Sequence, residues 1–281
     1  MNNFADRLIE QIQKKNSPVV AGLDPTWEGI PEFIRIGAQS VCDAVFKYNK
    51  MLIDALFDIV PAIKPQLAYY ELLGLGGIEA FHLTVEYAKS KGLLVIADGK
   101  RNDIGSTSDA YAKAYLSAEN PAPPHKTTRS VSDALTVNPY LGIDGIAPFC
   151  EQCKNSGAGI FVLVKTSNPS SGQLQDLVTR DGDTIYERVA ALVGEWGEPL
   201  VGAHGYSSVG AVVGATYPEQ AAKLREIMPR AIILVPGYGA QGGSAESAAI
   251  SFNSDGLGAV VNASRSIMHA YKSPKWSDKY N

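Results

Sequence analysis

Cysteine is scarce in this chain. Cys42, Cys150 and Cys153 are the only three among 281 residues, and so small and odd a set argues against a disulfide framework. Cys150-Glu-Gln-Cys153 has the spelling of a metal-ligand pair, but no second pair follows at zinc-finger spacing. It reads instead as two positions one turn apart on a helix. The four histidines, His82, His125, His204 and His269, form no metal-type cluster along the sequence. His82 falls in an amphipathic helical pattern, where packing or exposure accounts for it. No nucleophile-elbow motif is present, so a serine triad has no support. Positive charge is lacking too: the net charge is −4 and the pI about 5.6, which leaves no nucleic-acid footprint. No apolar run approaches the roughly 18 residues of a membrane span. The opening Met1-Asn-Asn-Phe-Ala-Asp-Arg7 lacks the basic-then-apolar order of a leader. These absences predict a cytoplasmic protein with no metal, no membrane and no nucleic-acid partner.

Short apolar runs alternate with helical patterns throughout. Val19–Leu23, Pro61–Pro65, Leu93–Ala97, Ala134–Asn138, Ile160–Val164, Val209–Val213, Ile232–Val235 and Ala259–Val261 read as strands. Between them, Val41, Val45, Tyr48 and Leu52 fall at helical spacing, as do Ile78, Phe81, Val85 and Ala88, with Gly92 placed to end that helix. Val189, Leu192, Val193 and Trp196 mark another. The strands are continuously apolar, as parallel strands buried on both faces should be. Eight such units predict one (β/α)₈ barrel domain over residues 1–281; a doubly wound open sheet is the alternative. Polar residues stand at the C-terminal ends of many strands: Asp24, Lys64, Asp98, Asn138, Lys165 and Asn262. A barrel would gather them on one face. A Pro-rich excursion around 117–133 breaks the rhythm and is expected on the opposite face, and a polar tail covers 272–281.

The third apolar run ends in Asp98-Gly-Lys100-Arg-Asn-Asp103. Two carboxylates there flank one ammonium at the mouth of a sheet. Charge at such a place is costly unless paired, and opposite charges keep each other ionised. A fixed cation between anions suits chemistry in which negative charge builds on a substrate carbon. A structural ion-pair network at a strand end explains the same residues.

After the seventh strand comes Pro236-Gly237-Tyr-Gly239-Ala-Gln241-Gly242-Gly243. A dinucleotide fingerprint needs an acidic residue after the next strand, and here Asn262-Ala-Ser264-Arg265 follows. A monophosphate site fits better. Glycines let backbone N–H groups approach an anion, and Arg265 can bind it bidentately. The competing reading is a glycine-rich turn with a surface arginine. The fifth strand leads into Lys165-Thr-Ser167-Asn-Pro, a loop able to reach a hydrogen-bonding edge or simply to be solvated.

Taken in order, these motifs resemble orotidine 5′-phosphate decarboxylases of the longer bacterial form. The likeness runs through Ala21-Gly-Leu-Asp24-Pro, Ile63-Lys64-Pro, Asp98 to Thr107, Val164-Lys-Thr-Ser167-Asn-Pro, Pro236 to Gly243 and Asn262 to Arg265. Gly99 and Asn102 depart from that family's commoner Ala and Gly, and neither removes a charge. The resemblance implies decarboxylation of orotidine 5′-phosphate to uridine 5′-phosphate with no cofactor. It implies an array of Lys64, Asp98, Lys100 and Asp103, with Lys100 protonating C6. It implies ribose contacts from Asp24 and Lys64, a pyrimidine contact from Ser167, and phosphate closure by Gln241, Gly242 and Arg265. It also implies a homodimer in which Asp103, Ile104 and Thr107 enter the partner's site.

Two rivals stay open at this level. Sugar-phosphate barrels such as hexulose-phosphate synthases resemble the chain at Asp-x-Lys-x-x-Asp, but carry an acidic Mg²⁺ ligand where Lys64 stands. A non-catalytic nucleotide-binding barrel would retain the array as a relic.

Overall fold

In the computed structural model, residues 3–125, 129–237 and 244–274 are described. Gln241, Gly242, residues 126–128 of the excursion and the tail from 275 lie outside them. The strands are β1 (Val19–Leu23), β2 (Ala62–Pro65), β3 (Leu94–Arg101), β4 (Ala134–Val137), β5 (Gly159–Lys165), β6 (Ser207–Val213), β7 (Ala231–Val235) and β8 (Ala259–Ala263). Each pairs in parallel with the next, and β8 closes on β1 through Val20 and Asn262. The closed ring is the expected eight-stranded barrel, and it rules out the open sheet.

Around and between the strands lie α1 (Phe4–Lys15), α2 (Glu32–Ile36), α3 (Val41–Leu56), α4 (Leu67–Leu72), α5 (Gly74–Ser90) and α6 (Gly105–Leu116). The second half adds α7 (Ile143–Ser156), α8 (Gly172–Gln175), α9 (Ile185–Gly197), α10 (Pro218–Ile227), α11 (Ala245–Ala249) and α12 (Arg265–Met268). Cys150 and Cys153 share α7, as their spacing predicts. Gly92 ends the α5 turn with φ +79, a conformation in which a side chain would be strained.

Side chains on a strand alternate between faces, and here the alternation separates two cores. Leu135, Val137, Ile160, Val162, Ile233 and Val235 face the helices. Ala62, Ile96, Ala134, Phe161, Val212 and Leu234 fill the barrel interior. Continuing the interior parity toward the C-terminal ends reaches Lys64, Asp98, Thr136, Leu163 and Asn262. The packed core and the polar mouth are thus successive layers of one inward-facing set.

The N-terminal mouth is shut by α1. Asn3 caps the helix by accepting from the Asp6 backbone, which satisfies an otherwise orphaned N–H. Phe4, Ala5, Leu8 and Ile9 then face the interior core. The Phe4 ring meets Phe161 edge-on, with centroids 5.8 Å apart. Gly159 makes room for it, because a Cβ there would lie 2.3 Å from the Phe4 ring. Asp6 accepts from the Ala203 and His204 backbones, each at 2.9 Å.

The excursion returns at this same end. Asp133 accepts from the Val95 backbone at 2.9 Å and from Arg7 at 2.6 Å. Its last residues are therefore tied to the start of β3 and to α1. His82 on α5 is half-buried and pairs with Ser130, a packed histidine as expected. Among the described residues no helix is long and apolar enough to cross a membrane.

Candidate active site

A cavity of about 440 Å³ opens at the C-terminal ends of the strands. Its walls include Asp24, Lys64, Asp98, Lys100, Ser167 and Arg265, six residues predicted from separate parts of the sequence. Its apolar floor is Leu163, Val212 and Leu234.

Asp98 is the hub. Its Oδ2 accepts from Lys64 Nζ at 2.6 Å and from Gln66 Nε2 at 3.0 Å. Its Oδ1 accepts from Lys100 Nζ at 2.6 Å and from the Thr136 hydroxyl at 2.9 Å. Each oxygen thus receives one ammonium and one neutral donor. Burial pushes the Asp98 carboxyl up, but the Lys64 and Lys100 charges outweigh it and hold the group well below the usual carboxylate range. The two cations differ in reach. The Lys64 side chain is 6% exposed, whereas that of Lys100 is 45% exposed at the mouth. Lys64 holds Asp98 from below, and Lys100 is presented to a ligand.

Lys100 carries φ +47. For a residue with a Cβ this left-handed backbone costs roughly 1–2 kcal/mol, and such strain gathers at functional sites. It arises where β3 bulges. Ala97 pairs with Leu135 and Arg101 with Val137, so four steps on β3 oppose two on β4. The strand therefore runs through Asp98 and Lys100 instead of ending at Ala97 as the apolar run suggests.

Asp103 does not line the cavity of its own chain, and no salt bridge joins it to Lys100. Within one chain the array is cation–anion–cation, not the anion–cation–anion order read from the motif. Asp103 instead accepts from the Ile104 backbone at 2.8 Å. Ile104 is 51% exposed, and Thr107 is also exposed. None of the three lines this cavity.

Lys165 and Asn138 also stand apart, against expectation. Between Leu163 and Lys165 the β5–β6 register slips by one residue, and this bulge takes Lys165 out of the interior parity. Lys165 is buried outside the barrel, 2.6 Å from Asp176 and beside the Tyr186 and Tyr217 rings. Asn138 is spent on a turn, accepting from the Tyr140 backbone.

Gln66, Thr136 and Asn262 line the cavity without having been assigned a role there. Asn262 stands out as a polar strand end, whereas Gln66 and Thr136 are marked only by inward parity, which requires the strand limits. Asn262 Oδ1 and Asp24 Oδ1 are buried acceptors with no hydrogen-bond partner among the described residues. Groups of that kind are costly unless something donates to them, so hydroxyls of a ligand fit here. Gly22 permits the approach of this wall, since a Cβ there would lie 1.9 Å from Ser264 Oγ.

The orotidine 5′-phosphate decarboxylase / HUMPS family model matches residues 17–278. The chain is 49% identical to an orotidine 5′-phosphate decarboxylase of Rhodopirellula baltica, covering 99% of this chain and 92% of the relative. It is 46% identical to one of Caldicellulosiruptor saccharolyticus, covering 99% and 93%. Among solved structures, a putative orotidine-monophosphate decarboxylase from Toxoplasma gondii superposes with TM-score 0.82 at 28% identity, over 100% of this chain and 94% of that one. A putative orotidine 5′-phosphate decarboxylase from Streptomyces avermitilis gives TM-score 0.80 at 33% identity, over 96% and 89%. With this sequence match, a closed barrel and a charged mouth, the chain belongs to the orotidine 5′-phosphate decarboxylase family.

Proposed function

We propose that this protein decarboxylates orotidine 5′-phosphate to uridine 5′-phosphate, with Lys100 as the proton donor and no metal or cofactor in the step. The Lys64–Asp98–Lys100 array carries the reading, because it sets an ammonium at the mouth of an apolar-floored cavity. When the C6–carboxylate bond breaks, the electron pair stays on C6 and carbon dioxide leaves. The Lys100 ammonium stabilises that charge, and one of its N–H protons then passes to C6. Lys100 regains a proton from solvent. Fixed charge in a water-poor site is usually the largest catalytic contribution. Asp98 keeps both ammoniums aligned and repels the substrate carboxylate.

Around this centre, Asp24 and Lys64 hold the ribose hydroxyls, and the unpartnered Asp24 oxygen supports that assignment. Ser167 meets the pyrimidine edge, and Arg265 with Gln241 and Gly242 holds the phosphate. Phosphate binding far from C6 can align the array and so contribute to turnover. The homologues' shared name favours this activity over the metal-dependent sugar-phosphate alternative, and so does Lys64, whose charge repels Mg²⁺.

We further infer a homodimer in which Asp103, Ile104 and Thr107 complete the partner's site. Exposed Leu72 at the end of α4 and Leu75 at the start of α5, with Ile104 after β3 and Tyr140 after β4, supply an apolar surface for it. The experiment is to incubate the protein with orotidine 5′-phosphate and follow loss of ultraviolet absorbance, with and without EDTA. Turnover that persists in EDTA and disappears in Lys100→Ala is expected. Full activity of Lys100→Ala would overturn the proton-donor role, and loss of activity in EDTA would overturn the metal-free step.

A further inference from the structure

We propose that Thr136 is a positioning residue that holds Lys100 in its left-handed backbone conformation and thereby aims its ammonium. The inference rests on the decarboxylase reading for its catalytic consequence, and on geometry alone for its structural half.

Thr136 sits opposite the β3 bulge, 1% exposed and facing inward from β4. At the bulge the regular ladder lapses between Ala97 and Arg101 and resumes where Asn138 donates to the Arg101 carbonyl at 2.9 Å. In that gap the Thr136 hydroxyl oxygen accepts from the Lys100 backbone N–H at 2.9 Å. The same hydroxyl donates its proton to Asp98 Oδ1, also at 2.9 Å. Asp98 Oδ1 in turn accepts from Lys100 Nζ at 2.6 Å. One hydroxyl therefore grips Lys100 at both ends: the main chain directly, and the ammonium through Asp98. The donor and acceptor roles are mutually consistent, because the single O–H proton goes to the carboxylate and a lone pair meets the N–H. A strained backbone persists only where its surroundings over-determine it, and this closed circuit does so. Valine has nearly the same shape and neither capacity. Serine has both.

The test uses the full chain and its Thr136→Val, Thr136→Ser and Thr136→Ala variants. With orotidine 5′-phosphate, Thr136→Val is expected to lower kcat by roughly 100-fold, the scale of a small misplacement of a reacting group, with KM nearly unchanged. Thr136→Ser is expected to stay within a few-fold of the parent in both. A packing role would reverse that order, because valine fills the space better than serine. The backbone ¹³C shifts of Lys100 read the second half without any substrate: they should leave left-handed values in Thr136→Val and keep them in Thr136→Ser. If Thr136→Val does not fold, Thr136→Ala is read in its place. Parent-like kcat in the valine variant, or left-handed shifts retained in it, overturns the proposal. A parent protein inactive on orotidine 5′-phosphate sinks the decarboxylase reading, and the Lys100 shifts then still decide whether Thr136 sets that backbone.

Discussion

Lys64 Nζ and Asp98 Oδ2 meet at 2.6 Å across neighbouring strands, with side chains only 6% and 9% exposed. A buried pair of this kind is costly to break, because the survivor keeps its desolvation without its partner. Lys64→Ala is therefore expected to lower stability by roughly 3 kcal/mol, the lower end for such pairs, since Lys100 still reaches Asp98. Activity should fall with it. Urea unfolding of both proteins checks the first effect, and a variant as stable as the parent would contradict it.

The pH dependence of stability should carry the mark of Asp98. Its folded pKa lies below the unfolded value of about 3.9, so the unfolded chain binds the proton more readily. The stabilisation is present above the unfolded pKa and is lost as pH falls toward the folded one. Between pH 5 and pH 2 the parent should lose stability more steeply than Asp98→Asn. Equal slopes in denaturation series would show that Asp98 is not held down in the folded state.

Phe4 and Lys100 lie at opposite ends of the barrel. Phe4→Ala empties the α1 plug and is expected to cost about 3–5 kcal/mol, while kcat measured below the melting range stays near the parent's. Thermal melts and initial rates separate the two. A large drop in kcat with no change in melting would mean that α1 acts on the site.

Lys165 tests the corrected placement. It joins β5 to Asp176 beyond the Ser167 loop, outside the cavity. Lys165→Met keeps the stem and removes the charge-assisted bond, of order 1.5–3 kcal/mol. KM should rise as the loop loses its tether, with kcat largely kept. A collapse of kcat at unchanged KM would mean that Lys165 acts at the reacting centre.

Arg265 is expected to act chiefly through capture of the phosphorylated substrate. Arg265→Ala should raise KM by about 10–100-fold, the equivalent of one or two charged hydrogen bonds. Steady-state kinetics decides it, and an unchanged KM would remove Arg265 from the phosphate site.

The sequence by itself determined the barrel, because eight apolar runs separated by helical patterns leave few ways to bury both faces of every strand. It also marked Asp24, Lys64, Asp98, Lys100, Ser167 and Arg265, since polar groups at the ends of buried strands are conspicuous against an apolar background. Only the tertiary structure decided the order of charges around Asp98, the left-handed Lys100 and the outward turn of Lys165. Each depends on a bulge that slips one strand against its neighbour, and register is a property of two segments far apart in the chain. Thr136 and Gln66 escaped notice for the same reason: an ordinary threonine or glutamine becomes part of a site only when another strand brings a carboxylate to it.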